Sequence, residues 1–176
     1  QLDNGEITTL EGIDSIASKS SLSKAEIARI FNLRAELIFP LDENAKLLPG
    51  LRKQGYKLYF LSNFPADLFE EVKTGYYFFK YFDGGVISAE AKSSKPDCRI
   101  YKILLEKYSL IPGECLYIDD LEINVKAAEA FGMKVIYFDI LKKLTIGNAI
   151  QCRTLQDVLK NADILTLHVP STRETK

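Results

Sequence analysis

Three short stretches hold the side chains best suited to chemistry. Leu61-Ser62-Asn63 ends an apolar run in a hydroxyl and an amide. Ser93-Ser94-Lys95-Pro96 puts an ammonium just ahead of a helical pattern. Leu116-Tyr117-Ile118 runs straight into two adjacent carboxylates, Asp119 and Asp120. Neighbouring carboxylates repel each other, and each is costly to desolvate. Something positive is therefore expected beside them. Mg2+ is a hard cation that takes one or two carboxylates and completes its shell with substrate oxygens. The Ser62 hydroxyl and the Asn63 amide can donate to a phosphoryl oxygen, and Lys95 can neutralise it as a point charge. The pattern points to a phosphate with a divalent cation: Ser62, Asn63 and Lys95 on the anion, Asp119 and Asp120 facing the metal, one as ligand and the other behind it. Plainer readings stand beside this one. Asp119-Asp120 also fits a helix cap followed by a first-turn acid. Ser62-Asn63 also fits a turn before Pro65, and Lys95 a solvated surface charge. The matching order of the three stretches favours the metal reading.

Such residues need a scaffold that brings distant segments together. KLYFLS (57–62) is short, apolar and aromatic, and is closed by Asn63-Phe64-Pro65, as a buried strand would be. Leu68, Phe69 and Val72 suit a short helix. The aromatic cluster from Tyr76 to Phe82 has only Lys80 interleaved, so it reads as core packing rather than a stacking platform for bases. Gly84-Gly85 turns into a short strand, VIS. Pro96 and Asp97 suit a helix start, followed by one apolar face of Ile100, Tyr101, Leu104, Leu105 and Tyr108. Pro112-Gly113 leads into the strand CLYID. Val125, Ala128 and Phe131 line the next helix, which Gly132 stops, and KVIYFD is another strand. Strands alternating with helices imply an α/β fold with a parallel, doubly wound, Rossmann-like sheet. Ligands in such sheets sit at the carboxyl ends of the strands.

Upstream of that unit the chain reads as an N-terminal helical cap. Thr8 with Glu11 and Ser23 with Glu26 both fit the capping box. After Ser23, Ile27, Ile30, Phe31, Leu37 and Ile38 recur at helical spacing. Asp42 is placed to cap a third helix running toward Gln54, with Pro49 as a kink or break and Gly55 as its stop.

The 176 residues are 47% hydrophobic and carry a formal net charge of -1, which fits one α/β domain and leaves no electrostatic footprint for nucleic acid. No apolar run is long enough to span a bilayer and no signal peptide is visible, so no membrane partner and a cytoplasmic location are expected. Cys98, Cys115 and Cys152 have neither zinc-ligand spacing nor an even count, and are expected to be reduced core thiols.

The segments LSN, SSKPD and YIDDLEINVKAAEAFGM, in this order, resemble motifs II, III and IV of the haloacid dehalogenase superfamily. The entrance GEIT at Gly5 to Thr8 looks like that of the helical cap in its phosphatase-like members. The resemblance covers roughly residues 1–140. It implies a Mg2+-dependent phosphohydrolase acting on a small phosphorylated metabolite through an aspartyl-phosphate. Ser62 then holds a phosphoryl oxygen, Lys95 is the motif III lysine, and Asp119 and Asp120 are the motif IV acids, with Asp120 in direct contact with the metal. The family's nucleophile comes from a DxD at the end of a first strand. No such DxD precedes LSN, and Leu2-Asp3-Asn4-Gly5 fits the cap entrance better. A truncated, incomplete and inactive fragment is therefore expected, with the oligomeric state left open.

The C-terminal segment resembles a different family. FGMKVIYFDI and TLQDVLKNADILTLHVPSTRETK look like part of the NAD-binding domain of D-2-hydroxyacid dehydrogenases, with Asp139 as the ribose acid and Leu167 to Thr172 as a later strand pattern. That site needs G-x-G-x-x-G at the preceding strand–helix turn. Asp119-Asp120-Leu121-Glu122-Ile123-Asn124 stands there instead, which argues against NAD binding. His168 reads as a packed strand residue. The expected division is a partial cap at 1–45, a core lacking its first strand at 46–140, and an additional αβ segment at 141–176. The alternatives are a haloacid dehalogenase acting on carbon, a dehydrogenase fragment, and a non-catalytic scaffold.

Overall fold

Local caps start the chain's first two helices. In the computed structural model, which describes residues 1–137 and 150–151, α1 (Thr9–Ala17) and α2 (Lys24–Asn32) each open on a complete capping box. The Thr8 amide donates to Glu11 at 2.7 Å and the Ser23 amide to Glu26 at 2.8 Å, while each hydroxyl accepts from the third helical amide. α2 ends at Asn32, and a single 3-10 turn (Ala35–Leu37) follows where the spacing predicts more helix. The expected third helix is two: α3 (Asp42–Ala45), preceded by Leu41 rather than capped by Asp42, and α4 (Leu48–Lys53). Pro49 lies in the first turn of α4, where its missing N–H forfeits no helical bond, so it starts a helix rather than kinking one.

β1 (Tyr59–Ser62) leads through Pro65 into α5 (Ala66–Gly75), and a 3-10 helix (Tyr77–Tyr81) returns the chain to β2 (Gly84–Ile87). β1 and β2 are parallel, with Phe60 opposite Gly85. Gly84 and Gly85 were expected to turn, yet they are strand residues, because large rings cover them. A Cβ on Gly85 would meet the Phe60 ring at 2.3 Å, and one on Gly84 would meet the Tyr108 hydroxyl at 2.3 Å. Phe60 in turn packs on Phe69, Phe79 and Phe82 at centroid separations of 5.2 to 5.8 Å, and Phe78, Phe79, Tyr81 and Phe82 of the aromatic cluster pack on the core as expected, whereas Tyr77 is exposed.

α6 (Ser88–Ala91) and a loop lead to α7 (Cys98–Tyr108), whose N-cap Asp97 accepts the Arg99 amide at 2.9 Å. Ile100, Tyr101, Leu104 and Leu105 are buried, the face read from the spacing. β3 (Leu116–Tyr117), α8 (Glu122–Ala130), β4 (Lys134–Tyr137) and β5 (Ile150–Gln151) follow, the three strands forming a second parallel sheet in the order β3-β4-β5. One apolar core joins both sheets: Leu61 and Val86 share it with Tyr101, Tyr117, Val125 and Val135. Cys115 is buried, whereas Cys98 is exposed at the start of α7 and is no core thiol. No helix among the described residues is long and apolar enough to cross a membrane.

The N-terminal helices are fastened to the rest of the fold by polar contacts. Thr9 and Arg34 both donate to Asp67 Oδ2 in the first turn of α5, at 2.5 and 3.0 Å. Tyr76 donates to the Ile38 carbonyl. The Ser88 hydroxyl, fully buried, accepts from the Phe64 amide at 2.9 Å and donates to the Asp3 carbonyl, so one side chain ties the entering segment to the loop after β1.

Candidate functional site

Lys95 is where the ends of β1 and β3 meet. Its peptide N–H donates to Asn63 Oδ1 at 2.7 Å, and Asn63 Nδ2 donates back to the Lys95 carbonyl at 2.9 Å. Its ammonium donates to Asp119 Oδ2 at 2.7 Å. The side chains of Lys95 and Asp119 are 3% and 0% exposed, so this is a buried ion pair and not a solvated surface charge. Asn63, Lys95 and Asp119, distant in sequence, are thus drawn together. Ser62 sits half-buried at the end of β1, and no hydrogen bond from the described residues engages its hydroxyl.

The two adjacent acids have separate fates. An extended chain sends neighbouring side chains to opposite sides. Asp119 points into the fold and Asp120 out of it. Asp119 Oδ2 accepts from Lys95 and from the Tyr117 hydroxyl, both at 2.7 Å. Asp119 Oδ1 accepts from the Leu121 amide at 2.9 Å and from Asn124 Nδ2 at 2.8 Å. Burial works to raise the Asp119 carboxyl, but Lys95, Asn124 and the Leu121 amide together hold it below the usual range. Burial draws the Lys95 ammonium below its ordinary value, against the opposite pull of Asp119 and Asp120. Burial and the nearby Asp119 charge push the Tyr117 phenol far upward, so it stays an O–H donor. The plain cap reading does not describe the pair: Leu121 occupies the N-cap of α8 and makes no side-chain cap bond.

Tyr117 is the member that sequence reasoning passed over. A signal was present, since residues two apart on an extended segment share a side. Asn124, read as a helix-entry residue with a supporting role open to it, reaches the same carboxylate from the first turn of α8.

Residues 8–138 match the haloacid dehalogenase-like hydrolase family. The chain belongs to that family. Sesquiterpene phosphatase astK of Aspergillus oryzae is 31% identical to this haloacid dehalogenase-like hydrolase over 133 residues, covering 76% of the chain and 68% of the relative. A haloacid dehalogenase family enzyme of Bacteroides thetaiotaomicron, solved as a complex with magnesium and inorganic phosphate, superposes with a TM-score of 0.66 at 27% identity, over 82% of this chain and 76% of that one. Residues 123–176 match a second family, the NAD binding domain of D-isomer specific 2-hydroxyacid dehydrogenase. D-3-phosphoglycerate dehydrogenase of Dictyostelium discoideum is 48% identical over 48 residues, 27% of this chain but only 12% of the relative. Both matches include β4 and all of α8 but Glu122 in the second. Asp139, Cys152, His168, the Leu167–Thr172 pattern and the helix read at TLQDVLKN lie outside the described residues.

The donor set can be tested against a magnesium ion. Among the described residues no three carboxylate, histidine or cysteine groups gather to hold a metal by themselves. Mg2+ does not require that, because it keeps waters and substrate oxygens around one or two carboxylates. Asp120 is exposed, and no hydrogen bond or ion pair from the described residues engages it. Asp119 spends both oxygens on four donors. The residues fit an ion held through Asp120, with Asp119 behind it.

Proposed function

We propose that this hydrolase acts on phosphoesters, binding the phosphoryl group of a small metabolite at the ends of β1 and β3 together with Mg2+. The observation that carries this reading is the buried ammonium of Lys95, locked by Asn63 at its backbone and by Asp119 at its tip. A buried cation at converging strand ends is suited to an anion. In this reading the Ser62 hydroxyl and the Asn63 backbone amide donate to phosphoryl oxygens, because the Asn63 side chain is already spent on Lys95. Asp120 is the metal ligand, and the ion, when bound, screens the phosphoryl charge. The relative named a phosphatase and the magnesium–phosphate complex of the Bacteroides enzyme support the same assignment. Residues 1–45 serve as the cap over a core of 46–140. No residue described here is assigned as the nucleophile: Asp119 is immobilised by its four donors, and Asp120 is given to the metal.

The test is binding, which needs no turnover. Orthophosphate titrated into the chain with and without Mg2+, followed by 31P NMR, is expected to bind more tightly with the ion. Asp120→Asn is expected to abolish that Mg2+ enhancement without lowering the melting temperature. Absence of binding at millimolar orthophosphate by the folded chain overturns the reading, and an unchanged Mg2+ enhancement in Asp120→Asn removes the metal role.

A further inference from the structure

We propose that Tyr117 is a positioning residue for Lys95, acting through the Asp119 oxygen that its phenol and the ammonium share. Both donors reach Oδ2 at 2.7 Å. Oδ1 is held from the other side by the Leu121 amide and Asn124. A carboxylate with only the Oδ1 donors and the lysine could swing about its Cβ–Cγ bond and carry the ammonium with it. The fourth donor fixes its plane, and with it the place where Lys95 presents its charge.

Tyr117 is itself braced. It is 2% exposed, so no solvent molecule replaces it at Asp119. Its ring meets Tyr101 at 5.5 Å and 62°, and Tyr101 donates to the Asn124 carbonyl at 2.9 Å. Asn124 closes the circuit by donating to Asp119. The ring accordingly does the packing while the hydroxyl alone touches the site, and the two roles separate in Tyr117→Phe.

The proposal rests on the phosphate reading for the purpose of holding Lys95, but its geometry can be tested without phosphate. In the 15N-labelled chain, hydrogen exchange of the Lys95 ammonium is measured by NMR beside that of the backbone amides. Tyr117→Phe is expected to speed Lys95 exchange ~10-fold, the low end for a charge-assisted hydrogen bond. Backbone amides of β3 and α8 should stay within about 2-fold, since packing is unchanged. Orthophosphate affinity in the presence of Mg2+ should fall by a similar ~10-fold factor. Unchanged Lys95 exchange overturns the proposal. So does uniform acceleration of all amides, or a chain that no longer folds, because either marks the hydroxyl as merely structural. Selective acceleration in a protein that never bound orthophosphate keeps the positioning role and defeats the phosphate reading alone.

Discussion

Asp119→Asn is the most demanding perturbation of this molecule, and its cost can be worked from the four donors. The carboxylate serves Lys95 and Tyr117 on one oxygen and Leu121 and Asn124 on the other. An asparagine has one oxygen. If that oxygen keeps the Leu121 and Asn124 side, an NH2 group faces the ammonium. If it turns to Lys95, the Leu121 amide is orphaned, and in either case the Asp119 charge is gone. Removing one partner of a buried pair costs about 3–5 kcal/mol. Typical domains hold ~5–15 kcal/mol in all. Asp119→Asn should therefore lose a large share of the fold's stability. Lys95→Met should lie at the low end of that range, about 3 kcal/mol, because Asp119 keeps three of its donors. The double variant should cost clearly less than the sum, since the two sites are in contact. Urea unfolding followed by circular dichroism at pH 7 measures all three. A loss below ~1 kcal/mol for Asp119→Asn, or strict additivity, would refute the description of this pair as a buried, mutually dependent unit.

Gly85→Ala should cost about 3 kcal/mol, the upper end for overpacking, because the displaced Phe60 ring is itself wedged among three others; a urea midpoint unchanged from the parent would show that the cluster has slack. Asp83 carries a pH dependence. Burial works to raise its carboxyl, yet the Leu58 amide at 2.9 Å, Arg52, and Lys57 at 3.3 Å hold it below the usual range. A depressed folded-state value means its stabilisation is present above the unfolded value of about 3.9 and is lost as pH falls through the lower folded value. Asp83→Asn should thus be less stable than the parent at pH 7, with the gap closing in acid below pH ~4. Parallel melts between pH 7 and pH 2 check this, and a constant gap would exclude the ion pairs as its source.

What could be read from the sequence was local or periodic. The capping boxes at Thr8 and Ser23 need only residues three apart, and both form. The buried face of α7 follows from its spacing alone. The order of the three site stretches, with strand ends as the meeting place, led to the contacts that Lys95 makes with Asn63 and Asp119. Other features depend on partners far along the chain. Nothing near Asn63 says that its amide would be consumed by a backbone 32 residues away. Gly84-Gly85 looks like a turn until Tyr108 and Phe60 are laid over it. The break between α3 and α4 falls ahead of Pro49 because proline is better tolerated at a helix start than in its middle.

The Ser88 hydroxyl joins points of the chain 85 residues apart. Contacts so remote close late, since the intervening chain must first lose its freedom. Segment 1–5 is accordingly expected to settle after β1 and β2, which lie closer together in sequence, have paired. On a ribosome, its carbonyl at Asp3 waits through the synthesis of everything up to α6 before its donor exists. Asp3 is thus made long before the side chain that holds it.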